Sequence, residues 1–279
     1  MAKTPTRFSS DPLPQGSRVA CLIEYDGSHF NGWQSQPHPN VATVQQTLEA
    51  ALTSVASNPV RVHCAGRTDT GVHGVGQVIH FDDPTGRSCK NWVYGTNAYL
   101  PSSVRVHWAT PVAADFHARF SALSRRYRYI IANTPIRPAL LAGRVSWQRR
   151  PLDEALMQEA AQCLLGERDF SAFQAASCQS PTAMRNVQDV SVTRAGNLIA
   201  IDIQANAFLH HMVRNIAGSL MMVGSGRQAP EWITELLEGG DRTVAADTAP
   251  PDGLYLVAVE YPDSFGLPDS PQGPMLLPF

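Results

Sequence analysis

The sequence has almost no lysine, no long apolar run and no paired cysteines. Among 22 basic residues, only Lys3 and Lys90 are lysines. No apolar run approaches the roughly 20 residues that span a bilayer, so the sequence predicts no membrane association. The five cysteines are odd in number, and no two have C-x-x-C spacing. This pattern indicates neither a disulfide framework nor a zinc knuckle, and it favours a reducing cytoplasm.

Basic residues are concentrated in one stretch of the chain. Residues 116–152 contain no Asp or Glu, whereas acids collect in residues 231–263 and the net charge is only -2. Arginine binds phosphate through two parallel hydrogen bonds, so the basic stretch could hold a polyanion. An arginine-rich solvated surface, or a genome that favours arginine codons, would give the same pattern. The arginines of this stretch are Arg119, Arg125, Arg126, Arg128, Arg137, Arg144, Arg149 and Arg150.

Hydrophobic periodicity predicts strands and helices without strict βαβ alternation, which is typical of an α+β fold with mainly antiparallel sheet. We expect a flexible N-terminal extension over 1–17, an α+β domain over 18–115, a second over 116–262 and a Pro-rich C-terminal arm over 263–279. The predicted strands are 18–26, 59–64, 75–81, 104–108, 127–132, 187–194, 198–205 and 255–261, and the predicted helices are 41–56, 151–165, 208–223 and 230–237.

A glycine-rich segment between two predicted strands is the strongest candidate for chemistry. It places Arg67, Asp69 and His73 among Gly66, Gly71, Gly74 and Gly76. Dense glycines let a loop adopt positive φ and let a ligand approach the backbone. A carboxylate on such a loop can act as base or nucleophile, although it could equally cap the loop by accepting backbone N–H bonds. The loop matches neither the Walker phosphate loop nor the dinucleotide fingerprint.

Several motifs in one order resemble the TruA family of tRNA pseudouridine synthases, from about Arg18 to about Pro262. A set of motifs in a fixed order is far more specific than any single one of them. The motifs are YDGSHFNGWQ (25–34), VQ and LE (44–45, 48–49), GRTDTGVH (66–73), DFHARF (115–120), RYRY (126–129), NAFLHHMVRN (206–215) and GLYL (253–256).

The resemblance implies roles for particular residues. Asp69 matches the family's catalytic aspartate, and Arg214 matches its partner arginine. Tyr127 matches the tyrosine that stacks on the target base, Arg67 an arginine that holds the base out of the stack, and Leu254 an apolar residue at the pocket. Two segments match regions that contact tRNA: Phe116, His117, Ala118, Arg119 and Phe120, and then Ser177, Cys178, Gln179, Ser180 and Pro181.

The resemblance also implies a reaction and an architecture. Family members convert uridine to pseudouridine at positions 38, 39 and 40 of the tRNA anticodon stem-loop, and they use no cofactor and no metal. The C1′–N1 bond breaks and uracil rejoins through C5, after the aspartate attacks C1′ or helps to form a glycal. The family fold is two ferredoxin-like halves whose mainly antiparallel sheets join across a central cleft, and family members are homodimers.

Three other functional hypotheses are compatible with the same residues. A catalytically silent RNA-binding protein of this fold would be expected to have lost Asp69, which this chain retains. A metal-dependent hydrolase could use Asp69, His73, His210 and His211, although their spacing fits neither HExxH nor a facial triad on one element. A core or RNA-facing role suits these histidines better. A protein-binding module that uses the aromatic residues is the third reading.

Overall fold

The computed structural model describes residues 8–36, 41–269, 273–274 and 276. The chain forms two compact units: the first comprises Met1–Leu123 and Val259–Pro271, and the second comprises Ser124–Ala258 and Gln272–Phe279. Residues 1–7 of the predicted N-terminal extension lie outside the described residues, as do residues 270–272, 275 and 277–279 of the predicted C-terminal arm.

The first unit is built on an antiparallel sheet in the order β4-β1-β3, with β2 paired to β3. Cys21 in the central strand lies opposite Ile79 on one side and Ala109 on the other. The elements are β1 (Arg18–Tyr25), α1 (Val44–Ala56), β2 (His63–Cys64), β3 (His73–Asp82), α2 (Thr96–Tyr99) and β4 (Val104–Val112).

Helix α1 supplies one side of this unit's core. Leu48 and Leu52 recur at four-residue spacing, so they share one face and pack in the same cluster as Cys21 of β1. The helix begins three residues later than the predicted position 41, because Thr43 has an extended backbone and accepts the Gln46 N–H through its hydroxyl. This side-chain bond satisfies an amide that would otherwise lack a partner at the helix start.

Part of the predicted N-terminal extension packs against the first unit. Phe8 and Leu13 lie against its apolar core. The Gly16 N–H donates to the Asp83 carbonyl at 2.8 Å, and the Leu13 N–H donates to the Arg87 carbonyl at 3.4 Å. These apolar and backbone contacts fix the chain that leads into β1.

The second unit is also mainly antiparallel, with strand order β10-β5-β9-β8-β7 and β6 parallel to the end of β5. Its elements are β5 (Ser124–Asn133), β6 (Ser146–Gln148), α3 (Glu154–Ala161), β7 (Gly166–Asp169), β8 (Met184–Ala195), β9 (Leu198–Ala205), α4 (Met212–Gly224), α5 (Trp232–Gly239) and β10 (Leu254–Glu260), of which residues 254–258 belong to this unit. The predicted α+β class with mainly antiparallel sheet is therefore confirmed.

Two local conformations shape the second unit. The predicted hairpin is present: Gly196 has φ +59 and begins the two-residue turn between β8 and β9, a conformation that glycine adopts without strain. The helix predicted over 208–223 begins only at Met212, because His211 before it has a left-handed backbone with φ 61. Within the described residues, none of the helices is long and apolar enough to cross a bilayer.

Asp83 organises the segment that follows β3. The residue is fully buried. Its carboxylate accepts the backbone N–H groups of Thr85 (2.8 Å), Gly86 (2.9 Å) and Arg87 (2.8 Å), and the indole N–H of Trp92 (3.1 Å). The neighbouring residue Asp82 is instead exposed.

We predict that Asp83→Ala destabilises the protein far more than Asp82→Ala. Asp83→Ala leaves buried donors without an acceptor and should lower the free energy of unfolding by on the order of 3 kcal/mol. Asp82 makes one exposed ion pair with Arg18, so its removal should cost less than about 1 kcal/mol. Urea titration of both variants measures the difference. Equal costs would mean that the Asp83 bonds do not organise the segment.

Candidate active site

The loop that carries Asp69 is fixed by backbone bonds to the chain between β1 and α1. The Trp33 N–H donates to the Thr68 carbonyl at 3.0 Å, and the Gly71 N–H donates to the Phe30 carbonyl at 3.4 Å. Asp69 is half-buried and lies between these two attachment points. Its carboxylate is therefore presented by a loop whose backbone is fixed on both sides.

Glycines make this approach of the two segments possible. A Cβ on Gly27 would lie 2.0 Å from the Val72 carbonyl oxygen. Gly32 has φ +83, and a Cβ there would lie 2.9 Å from the Thr68 carbonyl oxygen. Any side chain at either position would push the loop outward, so the motif around residues 25–34 is explained by contact with the Asp69 loop.

Two buried polar side chains fix the loop further. The Tyr25 hydroxyl and the Thr68 Oγ1 are 2.8 Å apart in a buried hydrogen bond. The Gln77 amide is fully buried and bonds both backbone groups of Gly66: its Nε2 donates to the carbonyl at 2.6 Å and its Oε1 accepts the N–H at 3.4 Å. Buried bonds of this kind have no solvent competitor, so they restrict the loop strongly.

His73 supports the loop through its ring. The residue is buried, and its Nδ1 accepts the Gly27 N–H at 3.0 Å. An accepting Nδ1 carries no proton, so the 3.3 Å approach of Asp26 Oδ1 to this nitrogen is a polar contact rather than an ion pair. This geometry gives His73 a structural role at Nδ1.

Cys64, which precedes the loop, is not a plausible alternative nucleophile. Burial raises the pKa of its thiol to about 12. Thiols react as thiolates, and a thiol with this pKa remains protonated at neutral pH. Asp69 therefore remains the candidate for the reactive group of this loop.

Tyr127 lies on β5 of the second unit with its ring largely buried. It packs edge-to-face against Phe208, with ring centroids 4.9 Å apart. Its neighbours Arg126 and Arg128 both bind the buried carboxylate of Asp202, at 3.0 and 2.9 Å. Successive strand residues point to opposite faces, so these ion pairs fix the strand that presents the tyrosine ring.

Arg214 lies in the first turn of α4 and is half-buried. Its Nε donates to the Ala249 carbonyl at 2.8 Å, and the Ala249 N–H donates to the Arg214 carbonyl at 3.2 Å. Gly218 of α4 allows the segment from Asp247 to Ala249 to pass close to the helix, because a Cβ on Gly218 would lie 2.3 Å from the Asp247 carbonyl oxygen. Leu254 is buried and begins β10.

Asn215 was not identified from the sequence as a functional candidate. It is fully buried, and its Nδ2 donates to the Phe173 carbonyl at 2.7 Å. Its Oδ1 accepts the Thr248 hydroxyl at 2.7 Å and Arg242 Nη2 at 3.2 Å. This network holds the segment that carries Ala249, to which Arg214 bonds. An amide side chain among the mainly apolar residues of this helix was the signal that the sequence offered.

The first predicted RNA-contacting segment divides into buried and exposed residues. Phe116 and Ala118 are fully buried, and His117 is half-buried. Arg119 and Phe120 are exposed, and Phe120 has 76% of its surface accessible. Of these five residues, Arg119 and Phe120 are therefore the ones placed to meet a large ligand directly. Arg67 in the Asp69 loop is also exposed.

The second predicted RNA-contacting segment, Ser177 to Pro181, is a loop attached to the chain before α4. The Ser177 hydroxyl and the His210 Nδ1 are 3.0 Å apart, and the His210 N–H donates to the Cys178 sulfur at 3.4 Å. Arg185 Nη2 donates to the Ser180 hydroxyl at 2.6 Å. Ser177, Gln179 and Pro181 are exposed, and Cys178 and Ser180 are half-buried.

The half-buried carboxylate of Asp69 thus lies on a loop that is fixed at both ends, and the exposed Arg67 and Arg119 suit a polyanionic ligand. The family model described as "tRNA pseudouridine synthase" matches residues 21–121 and 160–262. The chain therefore belongs to the tRNA pseudouridine synthase family, and it is an isomerase.

Relatives that are named tRNA pseudouridine synthase A align with nearly the whole chain. The Legionella pneumophila (strain Lens) protein is 53% identical, with 93% of this chain and 98% of that protein covered. The Idiomarina loihiensis protein is 56% identical, with 93% and 99% covered. The Escherichia fergusonii protein is 54% identical, with 97% and 99% covered. A solved Cbf5-Nop10-Gar1 complex aligns with 73% of this chain and 54% of that chain at 10% identity and TM-score 0.30, a likeness too weak to carry an argument.

We predict that Gly32→Ala impairs catalysis and that Gly16→Ala does not. Both glycines have similar positive φ, +83 and +85, so both substitutions strain the backbone by about 1 kcal/mol. Only at Gly32 does the new Cβ meet the Asp69 loop, since nothing lies within 4 Å of a Cβ on Gly16. Gly32→Ala should lower kcat by at least about tenfold, because a small displacement of a reacting group is costly.

The matched pair separates loop displacement from general loss of stability. Steady-state kinetics at a temperature well below both unfolding transitions measures the effect. Similar kcat values for the two variants would mean that contact at Gly32 does not position Asp69.

Proposed function

We propose that this chain isomerises uridine to pseudouridine at positions 38, 39 and 40 of the tRNA anticodon stem-loop, with Asp69 as the catalytic carboxylate. The observation that carries the proposal is the Asp69 loop itself, whose backbone is fixed at Thr68 and Gly71 by the chain between β1 and α1. Family membership indicates the reaction, and this loop carries the residue to which we assign the catalytic role.

Isomerisation makes particular demands on the site. The bond between ribose C1′ and N1 breaks, C1′ bonds to C5, the hydrogen on C5 leaves as a proton, and N1 ends with a proton. The carboxylate of Asp69 acts at C1′ while the glycosidic bond breaks, and Arg214 acts with it as the partner cation. Both residues have restrained geometry, Asp69 through its loop and Arg214 through its Nε bond to the Ala249 carbonyl. Preorganised groups of this kind need little rearrangement during the reaction.

In this proposal, the target base is recognised by Tyr127, Arg67 and Leu254. An enzyme must take the target base out of the stack, at a cost of a few kcal/mol, and then hold it between aromatic or apolar side chains. The ring of Tyr127 is supported by Phe208, and Leu254 is a buried apolar residue at the start of β10. The presence of Asp69, Tyr127 and Arg214 argues against a catalytically silent relative.

We further propose that the tRNA is held by both predicted segments, that the enzyme is a homodimer, and that it acts in the cytoplasm. Structured RNA is recognised mainly through its shape and its phosphates, which suits exposed arginines on a rigid scaffold. Light scattering tests the dimer directly, because the chain mass is 30.3 kDa. A measured mass of twice this value supports the dimer, and a mass equal to it contradicts the dimer.

The decisive test of the catalytic residue is tritium release from unmodified tRNA transcripts labelled at uridine C5, in the presence of a chelator. The parent protein should release tritium, because the C5 hydrogen leaves when C1′–C5 forms. Asp69→Ala should reduce the rate by at least about a thousandfold, since a group that attacks or activates the substrate is removed.

Asp82→Ala is the matched control, because it removes an exposed carboxylate from the same unit. It should retain the parent rate. Equal rates for Asp69→Ala and the parent would exclude Asp69 as the catalytic residue. Loss of the parent's activity in chelator would favour a metal-dependent reaction instead.

We predict that Tyr127→Phe retains base stacking and that Tyr127→Leu loses it. Stacking on an aromatic ring contributes about 1–3 kcal/mol per base, so Tyr127→Leu should lower kcat/KM by about tenfold or more. Tyr127→Phe keeps the ring and its contact with Phe208, so its kcat/KM should stay within about threefold of the parent. If Tyr127→Phe is as impaired as Tyr127→Leu, the hydroxyl rather than the ring face is the important group.

A further inference from the structure

The segment that presents Arg119 and Phe120 belongs to no helix or strand. Backbone N–H groups in such a segment need acceptors other than the usual ladder bonds. In this segment, side chains supply the acceptors for the N–H groups of residues 117–120. The His117 N–H donates to the Ser121 hydroxyl at 2.9 Å, and the Ser121 N–H returns a bond to the His117 carbonyl at 2.9 Å.

Two histidine rings accept the next three N–H groups. His80 Nδ1 accepts the Ala118 N–H at 3.1 Å. His117 Nδ1 accepts the N–H groups of Arg119 at 3.1 Å and Phe120 at 3.3 Å. Every backbone N–H from residue 118 to residue 120 therefore ends on a histidine Nδ1.

These rings are packed so that they stay in place. The centroids of His80 and His117 are 4.6 Å apart, and His63 stacks on His80 at 5.0 Å. Phe116 packs edge-on against His80 at 5.9 Å. The Tyr261 hydroxyl fixes the segment from another side by donating to the Ala118 carbonyl at 2.6 Å.

The surroundings of both rings favour the neutral form, which is the form that can accept a hydrogen bond. Burial, together with the neighbouring His117 and His63, lowers the pKa of His80 to about 4. Burial also lowers the pKa of His117, with further contributions from His63 and Arg18. A neutral ring has one nitrogen free to accept, and the backbone N–H groups assign that nitrogen as Nδ1.

The result is a pair of exposed side chains held next to each other. The guanidinium carbon of Arg119 lies 5.7 Å from the centroid of the Phe120 ring, within cation–π range. The Phe120 ring also packs on His117, with centroids 4.3 Å apart. A cation beside an aromatic face suits a nucleotide, which offers a phosphate and a flat base.

We propose that His80 and His117 are positioning residues for tRNA binding: their Nδ1 atoms hold the backbone of residues 118–120 so that Arg119 and Phe120 face the RNA together. This inference rests on the proposed function, because it assigns the RNA-facing role to Arg119 and Phe120. His80 lies outside every motif assigned a role from the sequence, and its side chain is too buried to touch RNA itself.

The test compares two substitutions of His117 for their effect on the Kd of unmodified tRNA. His117→Leu keeps bulk but removes the acceptor, and it should weaken binding by about tenfold, which corresponds to about 1.4 kcal/mol. His117→Asn places an oxygen acceptor near the position of Nδ1, so its Kd should stay within about threefold of the parent.

A double-mutant cycle separates positioning from direct contact. In a background that carries Arg119→Ala and Phe120→Ala, His117→Leu should weaken binding by less than about twofold further, because the side chains it positions are gone. A full tenfold loss in that background would overturn the proposal. So would a loss in His117→Asn as large as in His117→Leu, which would mean that the His117 ring contacts RNA directly.

His80→Asn provides a second test that does not depend on His117. It preserves an acceptor for the buried Ala118 N–H and should keep the parent Kd within about threefold, whereas His80→Leu should weaken binding by about tenfold. Unfolding midpoints confirm that each variant is folded at the assay temperature. Unchanged binding by folded His80→Leu and His117→Leu would overturn the positioning role.

Failure of this inference can be told apart from failure of the proposed function. If the Arg119→Ala and Phe120→Ala background binds tRNA as tightly as the parent, and the parent still forms pseudouridine, the positioning role is wrong and the proposed function stands. If the parent forms no pseudouridine, the proposed function is wrong, and the Kd cycle still decides the positioning role.

Discussion

The close approach of two backbone segments in the first unit is the constraint on which the candidate active site depends. Gly27 and Gly32 bring the chain after β1 within contact of the Val72 and Thr68 carbonyls, at distances that no side chain would permit. Because the approach is so close, backbone bonds fix the Asp69 loop together with the buried side chains of Tyr25 and Gln77. The carboxylate then has a defined place before any substrate arrives, which is the condition for catalysis by a preorganised group.

In both units, polar groups fix the backbone or side chain of a candidate functional residue, although the groups differ. In the first unit, histidine rings accept the backbone N–H groups of residues 118–120. In the second unit, the Ala249 carbonyl fixes Arg214, and Asn215 fixes the segment that carries Ala249. Near Asp69, Arg214 and Arg119, the backbone is thus held by a buried polar side chain: Gln77, Asn215 and His80, respectively. Substitutions at the supporting positions should therefore affect function without touching the substrate.

The strands with the clearest alternation could be predicted closely from the sequence, and so could the hairpin at Gly196. The limits of several helices could not, since they depend on local backbone states such as the extended Thr43 and the left-handed His211. The helical stretch from Asn91 to Tyr99 was missed, because part of it has π-helical spacing that no 3.6-residue pattern reveals. The motif makes Asp69 a candidate from the sequence alone, whereas the contacts of His80 and Asn215 could not be predicted, because their partners are distant in the sequence.

Site-resolved mapping of pseudouridine is the measurement that tests the central claim most directly. A pool of unmodified tRNA transcripts would be incubated with the parent protein or with Asp69→Ala, and each uridine would then be read individually. The account predicts pseudouridine at positions 38, 39 and 40 with the parent and none at these positions with the variant. Pseudouridine confined to another arm of the tRNA, or an unchanged pattern with Asp69→Ala, would contradict it.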